Sequence, residues 1–238
     1  MKLSNSVALI TGGSAGIGRA IAESLAAAGA RVAVTGRDKK KLEETAARLG
    51  VFPIQADVTV ESDVERTYRE VLAKFGDLDI LVNNAGVGTF RNLVDMDTAG
   101  FERVFKTNVT GVMMMGREAA KIFIARSSSG KTGNIVNICS TASLRGAANG
   151  TAYYASKFAV RGMTECWRAE LRRHNVRVML INPSEVITDF FINNGLTQNV
   201  NESKLRGEEI AGAVKAMLEM DDRGFVPEMS VFATNPVD

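Results

Sequence analysis

The sequence predicts an α/β fold in which one parallel sheet carries helices on both faces. Short β-branched runs alternate with longer stretches of helical periodicity, the rhythm of repeated strand–helix–strand units. The runs Leu78–Val82 and Val176–Ile181 are almost continuously apolar, as strands buried on both faces are. A glycine-rich turn joins the first strand to the first helix, and 238 residues fit one domain, 1–238.

In chain order, strands are expected over Val7–Thr11, Arg31–Thr35, Val51–Ala56, Ile80–Asn83, Asn134–Cys139, Val176–Asn182 and Met229–Ala233. The first crossover helix, Ile17–Ala28, repeats Ile17, Ala20, Ile21, Leu25 and Ala28 on one face, and Gly29 stops it. Lys39, Lys40 and Lys41 read as the solvated first turn of a second helix rather than as a binding patch. Glu102–Ile124 and Tyr153–Arg173 have the length of further crossover helices, with Met113, Met114 and Met115 as adaptable packing. One segment breaks the rhythm: residues 184–206 are rich in Asn, Thr and Ser, contain Phe190 and Phe191, and precede a helix near Glu208. A connection of that length in a compact α/β chain is expected to be functional, here a lid over a substrate.

Composition narrows the function classes. With 29 basic and 27 acidic residues, the net charge of +2 creates no field suited to nucleic acid or an anionic membrane surface. Two cysteines fit a reducing, cytoplasmic setting, and no apolar run is long enough to span a bilayer. No metal site is expected. His174, the sole histidine, sits where a helix ends and would meet its dipole, and Cys139 reads as a small buried hydrophobe rather than a nucleophile.

The turn Thr11-Gly12-Gly13-Ser14-Ala15-Gly16-Ile17-Gly18 lies between a strand and a helix. Glycines there admit close backbone approach, and the free N–H groups of the helix start attract an anion, so a dinucleotide pyrophosphate is the expected ligand. The second strand ends at Thr35-Gly36-Arg37, where dinucleotide folds meet the ribose. Arg37 offers a permanent cation to a 2′-phosphate where an acidic residue would select a 2′-hydroxyl, so NADP(H) is expected.

Tyr153 and Lys157 are four residues apart, which places a phenol and an ammonium on one helical face, where the cation favours phenolate and so acid–base chemistry. Tyr154 lies three residues from the same lysine, and spacing alone leaves both tyrosines open. Ser140 follows the apolar strand ending at Cys139, at the sheet edge where ligands of open α/β folds collect.

These motifs, in this order, resemble the short-chain dehydrogenase/reductase family over nearly the whole chain. Residues 11–18 match its T-G-x-x-x-G-x-G, Asn83-Asn84-Ala85-Gly86 its N-N-A-G, and Tyr153–Lys157 its Y-x-x-x-K. The resemblance implies a Rossmann fold. It selects Tyr153 as proton donor or acceptor, because the family's serine lies thirteen residues earlier, on Ser140. It also implies that Lys157 holds the nicotinamide ribose and that Asn108 supports a water relay. Asp57 and Val58 would lie beside the adenine, Asn84, Ala85 and Gly86 beside the adenosine ribose, and Pro183, Val186 and Thr188 beside the nicotinamide.

Two departures stand out. Pro183-Ser184 replaces the usual Pro-Gly, and the end Ala233–Asp238 replaces a Val-Asp-Gly-Gly-like stretch, which leaves a homodimer and a homotetramer equally open. The expected activity is hydride transfer between NADP(H) and a small-molecule ketone or alcohol, with 3-oxoacyl-carrier-protein reductases and sepiapterin-reductase-like carbonyl reductases as the most similar subgroups and an acyl-carrier-protein thioester among the candidate substrates. The alternative is a dinucleotide-binding regulator that has kept the fold without turnover.

Overall fold

The structure, a computed structural model, describes residues 1–197 and 201–234. Gln198 to Val200 of the predicted loop, the side chain of Phe191 and the chain end from Asn235 to Asp238 lie outside the described residues.

Seven parallel strands form one sheet: β1 (Val7–Ile10), β2 (Arg31–Gly36), β3 (Phe52–Gln55), β4 (Ile80–Asn83), β5 (Gly133–Ile138), β6 (Val176–Pro183) and β7 (Glu228–Val231), in the spatial order β3-β2-β1-β4-β5-β6-β7. Successive residues of a strand face opposite ways, and the sequence supplies apolar side chains to both sides. Ala8, Ile10, Val34, Ile80 and Val82 face one core, while Val7, Leu9, Ala33, Leu81 and Ile135 face the other. The first core is covered by α1 (Gly16–Ala27), α2 (Lys39–Leu49) and α8 (Gly207–Glu219), and the second by α3 (Glu61–Phe75) and α5 (Val112–Ala125) together with Leu171 at the end of α6 (Thr151–Leu171). The expected doubly wound arrangement is therefore present. Among the described residues no helix is long and apolar enough to cross a membrane.

Strand ends differ from expectation by a few residues, and the last strand occupies Glu228–Val231 rather than Met229–Ala233. The sequence reading did not delimit α3, whose mostly polar composition hides a narrow apolar face of Val64, Tyr68 and Val71. The larger correction concerns Glu102–Ile124. In place of one regular helix, α4 (Thr98–Phe105) and α5 are joined by a π-helical segment, Lys106–Gly111. Asn108 is its pivot: its amide donates to the Val87 carbonyl at 2.9 Å and to the Ser156 hydroxyl at 3.0 Å, and its oxygen accepts from the Val87 N–H at 2.9 Å. Such bulges mark places where tertiary contacts outweigh regular helix geometry. Past α6, His174 belongs to a short 3₁₀ turn, Arg172–His174, and its ring accepts a hydrogen bond from Arg173.

Strand order reverses between β1 and β4, which opens a crevice beyond their carboxyl ends. Side chains staple its two lips. The Thr11 hydroxyl accepts from the N–H groups of Asn84 and Ala85, both at 3.0 Å, and the Asn84 amide donates to the carbonyls of Thr11 and Gly12.

Candidate active site

A cavity of about 860 Å³ runs along the carboxyl edge of the sheet, from the turn after β1 to the loop after β6. Most of the expected site residues border it: Gly12, Ser14, Gly16 and Ile17 at one end, Arg37, Asp57 and Val58 beside them, Asn84, Ala85 and Gly86 at mid-length, and Ser140, Tyr153, Lys157, Pro183, Val186 and Thr188 at the other end. Gly13, Gly18 and Asn108 do not border it.

Gly18 serves from beneath. A Cβ there would stand 2.4 Å from the Gly12 carbonyl oxygen and 2.4 Å from the Asn84 amide nitrogen, so its hydrogen is what lets α1 start directly under the turn. Gly12 turns the chain at φ +65°, a conformation that side chains disfavour. The turn is then tied to its neighbours, because the Gly13 N–H donates to the Thr35 carbonyl and Thr45 of α2 donates to the Ser14 carbonyl, both at 3.0 Å. The turn expected to hold a pyrophosphate is thus a glycine-lined helix start tied to β2 and α2, and its residues fit a dinucleotide.

Beside it, Arg37 and Lys41 border the same end of the cavity. Asp38 borders it too, and its carboxylate caps α2 by accepting from the Lys41 N–H at 3.1 Å. Lys41 lies in the exposed first turn of α2, as expected, and reaches this end because α2 packs against the turn. Beside Val58, Asp63 accepts from the Asp57 N–H, and that bond, with Arg66, holds the Asp63 carboxyl below the ordinary range.

At the other end, Tyr153 and Lys157 share a face of α6 as their spacing required. The Lys157 ammonium lies 5.6 Å from the centroid of the Tyr153 ring and donates to the Ile138 carbonyl at 3.2 Å. Both tyrosines border the cavity, but the lysine stands over Tyr153. A buried chain fixes the height of α6 on the sheet: Asn83 donates to Asn137 at 2.9 Å, and Asn137 to Thr164 at 2.8 Å, two turns beyond Lys157. Ser140 heads the loop after β5, with its oxygen accepting from the Ala142 N–H at 3.1 Å. That loop is anchored by Ser143 donating to Asn182, which donates to Glu228. Cys139 is buried and donates to the Lys157 carbonyl; burial pushes its thiol above the usual value, consistent with packing rather than nucleophilic attack.

The loop after β6 begins and ends in one place. Val186 bridges to Leu205, the Ile187 N–H donates to the Leu205 carbonyl at 2.7 Å, and Glu185 pairs with the buried Lys204 at 2.9 Å. Between these points the short helix α7 (Phe190–Asn193) brings Phe190 into the cavity wall. Phe90, from the loop after β4, completes the wall, and neither its role nor that of Asn194 had a sequence signal, because each depends on two loops meeting.

Residues 6–199 match the family model described as short chain dehydrogenase. The zerumbone synthase of Zingiber zerumbet is 35% identical over 213 residues, covering 87% of this chain and 78% of that protein. Among solved structures, the 3-ketoacyl-(acyl-carrier-protein) reductase of Brucella melitensis complexed with NADH superposes with a TM-score of 0.89 at 30% identity, covering 98% of each chain. An alcohol dehydrogenase from the archaeon Thermococcus sibiricus, complexed with 5-hydroxy-NADP, gives 0.88 at 29% identity and covers 99% of this chain and 100% of that one. A doubly wound sheet, a glycine cradle at its switch point and a Tyr–Lys pair on the facing helix agree with these likenesses, and the chain belongs to the short-chain dehydrogenase family.

Proposed function

We propose that this chain is an NADP(H)-dependent oxidoreductase that interconverts a ketone and a secondary alcohol, with Tyr153 giving or taking the proton. As a family member it is an oxidoreductase of alcohol and carbonyl groups; the cofactor preference and the roles of the residues are our reading. Its main support is the Lys157 ammonium standing over the Tyr153 ring in the same cavity as the glycine cradle and Ser140.

Gly12, Ser14, Gly16 and Ile17 would hold the pyrophosphate through backbone N–H groups, with Arg37 and Lys41 around a 2′-phosphate. Bound there, the dinucleotide supplies or accepts the hydride. Related structures contain NADH and 5-hydroxy-NADP, so the preference for NADP(H) rests on Arg37 rather than on likeness.

Ser140 keeps a hydroxyl hydrogen to donate to the substrate oxygen, and the Tyr153 hydroxyl delivers the proton that turns the alkoxide into an alcohol. Lys157, buried beside Tyr153, is placed to donate to a ribose hydroxyl. The Asn108 side chain is spent on Val87 and Ser156, so its part in proton resupply falls to its backbone carbonyl. The reading includes a cytoplasmic homo-oligomer, for which half-exposed Phe158 on α6 is a candidate contact.

Replacing Tyr153 by Phe should lower kcat by about 10²- to 10⁴-fold and leave the dissociation constant for NADPH almost unchanged. Tyr154→Phe should retain most turnover. Steady-state kinetics with a carbonyl panel, beside fluorescence titration of NADPH, read both; a fully active Tyr153→Phe enzyme removes the assignment.

A further inference from the structure

The wall of the cavity that faces Tyr153 is aromatic. Phe90 and Phe190 each lie 5.4 Å from the Tyr153 ring, centroid to centroid, and 6.5 Å from each other in an edge-to-face contact. Tyr154 packs at 6.1 Å from Tyr153. These separations are those at which rings attract one another, so the four rings pack as one apolar surface at this end of the cavity.

Polar side chains near this wall are occupied in building it. Asn194 accepts from the Gly88 N–H at 2.7 Å and donates to the Phe190 carbonyl at 2.6 Å, which clamps α7 to the loop that carries Phe90. Arg103 donates to the Gly88 carbonyl and to the Thr89 hydroxyl. Asn108 is held by Val87, while Asp189, just before α7, and Asn193, at its end, are exposed. Beside the aromatic surface stand the hydroxyls of Ser140 and Tyr153, enough for a single substrate oxygen, and Tyr154, Ser184, Asp189 and Asn193 also border the cavity.

We propose that the substrate is a compact apolar ketone or secondary alcohol, its reacting carbon part of a hydrocarbon ring or next to one, seated against Phe90 and Phe190. The inference rests on the hydride-transfer reading above and narrows it. A polyhydroxylated sugar would bring several further hydroxyls against phenylalanine, and each one left unpaired weakens binding roughly five- to a hundredfold. A carrier-protein thioester meets a different obstacle. The loop beyond Phe90 runs Arg91-Asn92-Leu93-Val94-Asp95-Met96-Asp97, with Leu93 76% and Val94 91% exposed, so an acidic carrier approaching over it would meet apolar side chains and two carboxylates against one cation.

The test uses the intact chain with saturating NADPH and, separately, NADH. Four carbonyl probes are compared: 2-tetralone, camphor, xylulose and an acetoacetyl thioester of N-acetylcysteamine. The expected result is a kcat/KM for 2-tetralone or camphor at least about tenfold above the other two. Phe90→Ala and Phe190→Ala should each lower that value by about tenfold, mainly through KM, while Phe→Leu at either position restores much of it. Should the alanine variants fold poorly, wild-type inhibition decides: 2-naphthol should compete with the carbonyl at concentrations where sorbitol does not. If xylulose or the thioester is the best substrate, or sorbitol competes as well as 2-naphthol, the substrate class is wrong while hydride transfer stands. If NADPH binds and none of the four is reduced, the hydride-transfer reading fails and this inference goes with it.

Discussion

The two edges of the sheet are built from the same strands and put to opposite uses. At the amino edge, charges meet charges. Arg126 donates to Asp77 at 2.8 Å and to Asp79 at 2.9 Å, and Lys131 reaches Asp77 at 2.7 Å. Arg177, only 4% exposed, donates to Asn134 and to the carbonyls of Leu218 and Met220 at the end of α8. At the carboxyl edge, by contrast, the Gly12 turn, Ser140 and Tyr153 border a cavity, and the elements carrying them are fastened from behind mostly by amide and hydroxyl hydrogen bonds, with the Glu228 carboxylate at the end of one chain of them. One edge pairs most of its polar groups internally, the buried Arg126 Nε excepted, and stabilises the fold, while the other lines a cavity with them. Damage to the first should therefore appear in stability and damage to the second in binding and turnover.

The largest effect should come from Arg177→Met. Burial pulls the Arg177 guanidinium below its usual value, with Asp222 opposing, so the side chain is retained for its hydrogen bonds rather than for an easy ionisation. Removing it leaves buried carbonyls and an asparagine oxygen without donors, at a cost of about 2–4 kcal/mol. Urea denaturation should register that loss with kcat per folded molecule unchanged; an equal fall in kcat would break the division between the edges. Next comes Gly18→Ala, on the other side. Its methyl must displace the Gly12 carbonyl or the Asn84 amide, and overpacking of this kind costs about 1–3 kcal/mol. Because relief has to come from the phosphate turn itself, dinucleotide affinity should fall roughly ten- to a hundredfold, measured by titration beside the thermal midpoint. Unchanged affinity would move the phosphate elsewhere.

How much of this division could be read from residues alone depended on range. The cradle was legible because its glycines, strand and helix are adjacent in the chain, and the Tyr153–Lys157 pair because one helical turn joins them. The choice between Tyr153 and Tyr154 needed the resemblance first, and then the position of Lys157 over one ring. Lys39, Lys40 and Lys41 form the exposed first turn of α2, as their composition implies, but that Lys41 also borders the cavity depends on Thr45 tying α2 to Ser14, which nothing local reports. Phe190 stood out only as part of the loop 184–206, and Phe90 and Asn194 carried no signal: the clamp on Gly88 spans over a hundred residues of sequence. The π-segment at Asn108 was hidden for the same reason, because the helix there yields to a contact with Val87 that helical periodicity cannot report.

A smaller effect sharpens the contrast within the carboxyl edge. Arg37→Asp replaces a cation with an anion at the end of β2, and should shift the ratio of kcat/KM for NADPH to that for NADH by about ten- to a hundredfold toward NADH. Part of that shift should be reproduced in the wild type by raising salt, which screens the exposed guanidinium. A variant that still prefers NADPH would transfer the selection to Lys41 and Ser14.

The smallest effect returns to the amino edge and depends on pH. Burial acts to raise the Asp77 carboxyl, but the bond from Lys131, the Leu78 N–H and the charge of Arg126 outweigh it, and the net shift is downward. A carboxyl held lower in the folded chain than in the unfolded one adds stability above its unfolded value, near the ordinary carboxylate range, and that contribution disappears as pH falls through the folded value. Asp77→Asn should therefore lower stability at neutral pH, by no more than about 1 kcal/mol because the pair is partly solvated. The difference between the two proteins should close on acidification below about pH 4. Urea midpoints at pH 7 and pH 3.5 measure it. A gap that widened toward acid would mean that Asp77 is held up, not down, and that the amino edge owes its stability to the packing of Arg126 on Phe123 rather than to its charges.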